Sequence, residues 1–208
     1  MKDNDFAIVS YSAKVKETNQ QVDKADKVPM IVKTGYLLKG LEEPLKAMNV
    51  GDKKTVEIAP ENAFGKRDFN LIKLISIAEF RKHDTKPTPG MFVEADRMRG
   101  KVLSVSGGRV KVDFNHPLAG KTIVYDLEIN EKLEKSEDKM MALFQMYTQI
   151  DRSKMSVVIN DKQVDIDVPP MVNPIVKKRI SNDIIDLLGF DKVRYIETYE
   201  KPKETKQA

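Results

Sequence analysis

Residues able to do acid–base, nucleophilic or redox chemistry are few in this sequence. It contains no cysteine and two histidines, His83 and His116, which excludes a thiol nucleophile, a disulfide scaffold and a thiolate or histidine-rich metal site. It also lacks a phosphate-binding P-loop, a GxGxxG turn, an HExxH helix and a Ser/His/Asp arrangement. The sequence therefore gives no support to metal, redox, hydrolytic or phosphoryl-transfer chemistry.

Five ordered segments rich in apolar and aromatic residues stand out instead. In chain order they are VSYSAKV, the pair VD at 22 and 23, YLLKGLEEPLKAMNVGDK, ENAFG and NHPLAGKTIVYDLEI. Taken alone, Asp23 is typical of a turn or a cap, and Leu37, Leu38 and Leu41 are typical of a core. His116 alone is typical of a structural hydrogen-bonding residue. Their meaning depends on the elements that position them.

Alternating apolar and polar residues predict an antiparallel sheet. The alternation runs over Phe6–Val15 and Lys53–Ala59, and Pro29–Val32 is a further short strand. Thr122–Ile129 is strongly β-branched and has no partner in its neighbourhood, so it is expected to pair with the strands before residue 60.

A short amphipathic helix is predicted between these strands. Leu41, Leu45 and Met48 have helical spacing, Pro44 falls in the expected first turn, and Gly51 is the expected terminator. This helix would present one apolar face to the sheet.

The middle of the chain has another pattern. Residues 66–118 hold short apolar runs separated by Pro and Gly, which is typical of a small β-meander. This segment carries 11 Lys or Arg against 6 Asp or Glu, an excess that suits varied or acidic partners. It is predicted to be an insertion in a loop of the first domain.

Residues 131–208 predict a separate small α+β domain of order α-β-β-α-β. A helix is expected from Ser136 as N-cap, a hairpin turn at Asp161, and a second helix ending at Gly189, followed by a last strand. The apolar face of the first helix would hold Met140, Leu143, Phe144 and Tyr147.

Composition indicates the structural class of the protein and its expected location in the cell. The 208 residues are 40% hydrophobic and 33% charged with a net charge of +4, as in a globular protein and unlike a fibrous or disordered one. The amino terminus has no apolar run of signal-peptide length, and no segment approaches ~18 apolar residues. We expect a cytoplasmic protein that is not bound to a membrane.

The five segments resemble the FKBP-type peptidyl-prolyl isomerases, in particular the SlyD-like branch with its archaeal members. The resemblance implies an α+β fold: an antiparallel sheet wrapped on a short helix in residues 1–65 and 119–130, a β-rich domain inserted in the flap at 66–118, and an extra C-terminal α+β domain at 131–208. It implies peptidyl-prolyl cis-trans isomerase activity without a metal or cofactor.

The resemblance also assigns the cleft that accepts the prolyl ring. It implies catalytic roles for Tyr11, Asp23, Phe64 and Tyr125, with a buried hydrogen bond between Tyr11 and Asp23. It implies that the cleft binds the substrate through Val22, Met30, Leu37, Leu38, Leu41 and His116. In the insert, Phe80, Met91, Phe92 and Met98 are the candidates for binding unfolded chains. From the residues alone, Met91, Phe92 and Met98 fit the core of a small domain equally well.

Two residues depart from the family pattern. Phe64 stands where many relatives have Tyr, so a hydroxyl that can donate to the substrate is missing and a reduced activity is predicted. Leu41 provides a smaller floor than the Trp that relatives often have, since the chain contains no Trp.

The expected function is X-Pro isomerisation in folding polypeptides together with chaperone activity. The partners would be unfolded or proline-containing polypeptides, and the C-terminal domain could support a homodimer. Two alternatives remain: a holdase chaperone with little isomerase activity, and an RNA- or ribosome-associated binding protein. The insert has few aromatic residues for base stacking and its basic residues are dispersed, which makes nucleic acid the less favoured partner.

Overall fold

The computed structural model describes residues 1–95, 97–148 and 150–199, with only the backbone of Arg152, so the final residues of the predicted C-terminal domain lie outside it. The described residues form three sheets and four α-helices. In chain order the elements are β1 (Phe6–Val15), β2 (Gln21–Ile31), α1 (Lys39–Lys46), β3 (Lys53–Ile58), β4 (Ile72–Ser76), α2 (Ile77–Lys82), β5 (Phe92–Ala95), β6 (Met98–Ser106), β7 (Arg109–Asp113), β8 (Ile123–Leu133), α3 (Ser136–Tyr147), β9 (Ser156–Asn160), β10 (Gln163–Asp167), α4 (Pro174–Leu188) and β11 (Lys192–Ile196). None of the described helices is long and apolar enough to cross a lipid bilayer.

The first sheet has the strand order β2-β1-β8-β3 and is antiparallel throughout. The predicted return of the β-branched strand is confirmed, because β8 pairs with both β1 and β3. Strand β2 begins at Gln21, eight residues before the predicted start at Pro29. Val22 and Asp23 therefore lie on a strand rather than in a turn.

Helix α1 packs across this sheet. Its apolar residues Leu41 and Leu45 are buried, as predicted. Gly40 lets the helix approach β3, since a Cβ at this position would lie 2.3 Å from a methyl group of Ile58. The helix begins at Lys39 and ends at Lys46, so Pro44 lies inside it rather than in its first turn.

Gly51 is not the helix terminator that the sequence suggested. The C-cap is Ala47, and Gly51 occupies the following turn with φ +89°. Its amide donates to the carbonyl of Ile129 at 2.7 Å, which joins this turn to β8.

The insert forms its own four-stranded sheet of order β4-β7-β6-β5. Only β5, β6 and β7 follow a meander, because β4 pairs with the distant β7. Helix α2 was not predicted, although Ser76 accepts a hydrogen bond from the Ala78 amide as N-cap and Glu79 follows three residues later, the spacing of a capping box. Gly100 of β6 is buried, and a Cβ at this position would lie 2.6 Å from a methyl group of Val112, so the core of the insert leaves no room for a side chain there.

The C-terminal segment has the predicted order α3-β9-β10-α4-β11. Strands β9 and β10 form the predicted hairpin, and β11 pairs parallel with β10. Gly189 ends α4 in the left-handed conformation. Ser136 is the first helical residue and Lys135 is the N-cap, without a side-chain hydrogen bond, so the predicted Ser136 cap is wrong.

One apolar core spans the first sheet and the C-terminal segment. Phe6 and Ile31 of the first sheet lie in the same buried cluster as Met140 and Phe144 of α3. Strand β8 continues to Leu133, beyond the predicted boundary at residue 130, and Leu133 belongs to that cluster as well. The sheet and the C-terminal segment therefore share buried surface, whereas the insert has a separate core.

Candidate functional site

The pairing of three adjacent strands places the polar residues of the cleft on one sheet face. Asp23 of β2 and Tyr125 of β8 both lie opposite Ala13 of β1, and directly opposed residues project from the same face. Tyr11 precedes Ala13 by two residues and shares that face. The small side chain of Ala13 separates the carboxylate from the Tyr125 ring.

Tyr11 donates a hydrogen bond from its hydroxyl group to Oδ2 of Asp23 at 2.9 Å. This is the bond that the resemblance implied. Burial, the hydrogen bond to Asp23 and the charge of its carboxylate raise the pKa of Tyr11 to about 12, so its hydroxyl stays protonated at neutral pH. Asp23 is exposed, and the bond therefore lies at the open edge of the site and not in a buried floor as predicted.

Tyr125 is the inner member of an aromatic pair. Its ring centroid lies 5.9 Å from that of Tyr11 at an angle of 46°, and the residue is 5% exposed. Burial, and then the charge of Asp23, raise the pKa of Tyr125.

The Tyr125 hydroxyl has no hydrogen-bond partner within the described part of the chain. In the same part of the chain no buried side-chain nitrogen or oxygen lacks a partner. The Tyr125 hydroxyl is therefore not sealed inside the protein and can meet a molecule from outside.

The apolar candidates come from different elements and meet in one cluster. The cluster contains all eight predicted residues other than Asp23 and His116: Tyr11, Val22, Met30, Leu37, Leu38, Leu41, Phe64 and Tyr125. Leu41 is 3% exposed, so it forms part of the floor, whereas Leu37 and Leu38 are half-buried at the rim. Ala63 and Leu118 pack against the same cluster and were not predicted.

Phe64 and His116 form a stacked pair at the other rim. Their ring centroids lie 4.5 Å apart with the planes 2° from parallel. The amide of Leu118 donates to Nδ1 of His116 at 3.1 Å, which makes Nδ1 an acceptor. His116 thus supports the Phe64 ring from the segment that returns from the insert, and this arrangement fits the structural interpretation of His116.

The insert joins the first sheet beside this pair. Gly65 follows Phe64 with φ +83°, and its carbonyl accepts a hydrogen bond from the Gly120 amide at 2.8 Å. The two connections to the insert therefore lie side by side.

The four candidate residues of the insert differ in exposure. Phe92 is 48% exposed and lies under the guanidinium of Arg99 at 4.5 Å, and Met91 and Met98 are half-buried. Phe80 is 9% exposed and belongs to the core of the insert, but it also lines a pocket together with Met91 and Phe92, so its client-binding role stays a prediction. Three exposed apolar side chains of the insert were missed: Phe69, Leu74 and Leu103.

Comparison with protein families accounts for most of the chain. Residues 1–81 match the model of the FKBP-type peptidyl-prolyl cis-trans isomerase, residues 73–118 match the IF domain of FKBP26, and residues 136–200 match the FKBP26 C-terminal model. These matches follow the order of the first sheet, the insert and the C-terminal segment.

Curated relatives agree with the family models. A short-type peptidyl-prolyl cis-trans isomerase of Methanocaldococcus jannaschii is 34% identical over 146 residues, which cover 63% of this chain and 93% of that protein. A probable FKBP-type 16 kDa isomerase of Pseudomonas fluorescens is 37% identical over 121 residues, covering 54% and 79%. The FKBP-type isomerase SlyD of Vibrio cholerae is 34% identical over 108 residues, covering 50% and 53%.

An antiparallel sheet packed on a short helix, with a cluster of apolar and aromatic side chains between them and an inserted four-stranded sheet, is the architecture that the resemblance to the prolyl isomerases implied. The chain belongs to the FKBP-type peptidyl-prolyl cis-trans isomerase family. The resemblance stated from the sequence motifs is confirmed.

Proposed function

We propose that the cleft lined by the eight clustered residues catalyses rotation about X-Pro bonds of polypeptides. A peptide bond is planar because resonance places partial charges on its oxygen and nitrogen, and the barrier to rotation is about 18–20 kcal/mol. The twisted transition state has lost this resonance and carries less charge separation. A water-poor apolar cleft therefore disfavours the planar ground state more than the twisted state.

The supporting observation is the convergence of these side chains from β1, β2, α1, β8 and two connecting segments into one cluster. Leu41 provides the floor for the prolyl ring, and the aromatic pair Tyr11 and Tyr125 provides one wall. The Tyr11–Asp23 hydrogen bond holds the wall in place. The Tyr125 hydroxyl supplies a donor for a substrate carbonyl, the role that Phe64 cannot fill.

The direct test is a protease-free measurement of cis-trans exchange in a short prolyl peptide by NMR. The wild-type chain is expected to accelerate exchange. Leu41→Ala is expected to reduce the rate, and Tyr125→Phe is expected to reduce it by about five-fold, the equivalent of one neutral hydrogen bond of about 1 kcal/mol. If the wild-type chain does not accelerate cis-trans exchange, the isomerase proposal fails and the holdase alternative is favoured.

Residues 66–118 form the domain that we assign to client capture. Phe92, Met98 and Leu103 offer exposed or half-exposed apolar surface on its sheet. Tethering a capture surface to the cleft raises the local concentration of prolines there. The test is suppression of aggregation of an unfolded protein by the full chain, with Phe92→Ser and Leu103→Ser expected to weaken it.

A homodimer through the C-terminal domain is our proposal for the assembly. Most of the apolar side chains of α3 and α4 are buried in the core, so a dimer must use other residues. Exposed apolar side chains lie at Val158, Met171, Ile175 and Ile196. Sedimentation equilibrium of the full chain and of Ile175→Asp tests this assembly; a mass that is unchanged by the substitution contradicts it.

A cytoplasmic location is retained as part of the proposal.

A further inference from the structure

A groove of about 780 Å³ lies where the outer face of the insert sheet meets the returning segment 115–121. Phe92, Met98 and Leu103 give it an apolar side, and Arg99, Lys101 and Lys121 give it a cationic side. The groove thus combines two kinds of recognition surface in one place.

Strand register explains why these side chains lie together. Along β6, Arg99, Lys101 and Leu103 alternate with the buried Gly100 and Val102, so they project from the outer face. Lys101 lies directly opposite Phe92 of β5. The outer face of β6 therefore carries a row of two cations and one apolar side chain, with the Phe92 ring beside it.

The cations of the groove are largely unneutralised. Within the described part of the chain, Arg99, Lys101 and Lys121 make no ion pair with a carboxylate. The one carboxylate of the groove, Asp113, is bound by Arg67. Burial would raise the pKa of Asp113, but hydrogen bonds from Asn115 and the charge of Arg67 outweigh it and lower the pKa. The groove lining therefore carries four cations, Arg67 included, against one carboxylate, and Glu94 lies opposite Arg99 on the neighbouring strand.

The groove is continuous with the proposed cleft. His116 lines the groove with one part of its surface, and its ring stacks on Phe64 of the cleft. The Phe64–His116 stack therefore marks the place where the groove and the proposed cleft adjoin.

We propose that this groove binds the segment that flanks the proline in a client polypeptide, and that it selects flanks combining apolar with acidic residues. This inference rests on the proposed isomerase function. Acidic side chains would pair with Arg99, Lys101 and Lys121, while apolar side chains would contact Phe92 and Leu103. The cleft would then define the proline and the groove would define its sequence context.

The same cations could attract RNA, but the groove suits a polypeptide better. Stacking of bases requires open aromatic faces, and one of the two faces of the Phe92 ring is occupied by the guanidinium of Arg99. The other aromatic ring of the groove outside the His116 stack, Phe114, is 8% exposed. Apolar Met98 and Leu103 offer nothing specific to a nucleotide.

The test uses fluorescent peptides that differ only in the flank of one Leu-Pro sequence. The flank contains leucines with Glu, Gln or Lys at the same positions, and each peptide also exists with Ala in place of Pro. Binding is measured by anisotropy at low and high salt, and isomerisation by NMR exchange. The variant is the double substitution Arg99→Gln and Lys101→Gln. Its matched control is Arg81→Gln with Lys86→Gln, which removes two charges from the insert outside the groove.

We expect the Glu flank to bind about five-fold more tightly than the Gln flank at low salt, as for two exposed ion pairs, and to lose this advantage at high salt. The groove variant should lose the preference, and the control variant should keep it. Equal affinity for the Glu, Gln and Lys flanks overturns the inference, as does a preference that survives in the groove variant. A single-stranded RNA oligomer that displaces the Glu-flank peptide through the same two residues would also overturn it in favour of nucleic acid.

The Pro-to-Ala peptides separate this inference from the proposed function. If no peptide is isomerised but the Glu flank still binds through Arg99 and Lys101, the groove is confirmed as an acidic-segment site and the isomerase proposal fails. If the prolyl peptides are isomerised and the three flanks bind equally, the isomerase proposal stands and the groove inference fails.

Discussion

Tyr36 donates a hydrogen bond of 2.5 Å to Asp183, joining the loop before helix α1 to helix α4 of the C-terminal segment. Tyr147 of α3 donates to the other carboxylate oxygen at 2.7 Å, and Asp183 is 5% exposed. The two residues after Tyr36 are Leu37 and Leu38, which we assign to the proposed cleft. The C-terminal segment therefore holds the loop that forms one rim of the site.

The first prediction concerns this link. Asp183→Ala leaves two tyrosine hydroxyls without an acceptor and is expected to lower the free energy of unfolding by about 1–3 kcal/mol. Tyr36→Phe keeps the ring and removes one bond, so its loss of stability should be smaller, while the KM for a short prolyl peptide should rise. Urea unfolding and NMR exchange measure the two effects.

Tyr199→Phe is the control for this link, because Tyr199 is exposed and donates to Glu197 far from the cleft loop. It should change neither stability nor KM. If Tyr36→Phe behaves in the same way, the loop does not depend on Asp183.

The second prediction is a loss of stability at alkaline pH. The folded state raises the pKa of Tyr11 to about 12, above the value near 10 of an unfolded chain. The folded state therefore holds this proton more tightly. Its contribution to stability is complete below pH ~10 and disappears as the pH rises towards ~12.

Tyr11→Phe isolates this contribution from those of the lysines and the other tyrosines. The difference in unfolding free energy between the wild-type chain and Tyr11→Phe should shrink as the pH rises from about 9 to about 12. A constant difference over that interval would mean that the Tyr11 hydroxyl is not more strongly protonated in the fold.

The third prediction concerns the missing hydroxyl of Phe64. Because the Phe64 ring is held flat against His116, Phe64→Tyr should keep the stack and add a donor. A new neutral hydrogen bond is worth about 1 kcal/mol in the transition state, which corresponds to a rise in kcat of about five-fold. Phe69→Tyr, at an exposed position of the insert, is the matched control and should leave kcat unchanged.

His116→Ala extends this test by removing the ring that supports Phe64. If the stack positions the rim, kcat/KM should fall for the wild-type Phe64 and for Tyr at that position alike. A gain from Phe64→Tyr that is larger without His116 would contradict the positioning role of the stack.

The fourth prediction concerns excision of the insert. The hydrogen bond between Gly120 and Gly65 holds the two connections together, so a short Gly/Ser loop can replace residues 67–114. Retaining 115–120 keeps His116 against Phe64. The excised chain should remain folded because the insert has its own core, and a shorter loop changes the closure entropy little.

The excised chain is expected to keep its activity on a short prolyl peptide and to lose most of it on an unfolded protein with a slow prolyl step. Both rates are measured on the same preparation. Equal losses would show that the insert shapes the cleft, and undiminished activity on the protein would assign client binding to the C-terminal segment.

Local patterns predicted most elements, and their failures have physical causes. The predicted β2 was too short because Lys24, Asp26 and Lys27 are exposed and give no apolar alternation. Backbone pairing with β1 holds this part of the strand. Helix α2 was missed within a segment dominated by strand patterns, although Ser76 and Glu79 signalled its start. The place of Phe80 in the insert core was not predicted, because sequence alone does not reveal which side of a short element faces a core.

Local sequence patterns predicted the periodicity of the main elements and the turns at Asp161 and Gly189, and the motifs supplied the candidate residues of the proposed cleft. These features depend on neighbours within a few positions, where backbone geometry and side-chain spacing act directly. Three features could be recognised only in the folded chain: the stack of His116 on Phe64, the hydrogen bond from Tyr36 to Asp183 and the groove beside Phe92. Each of these joins segments far apart in the chain, and their relative placement follows from strand register and shared core packing, which no local pattern records.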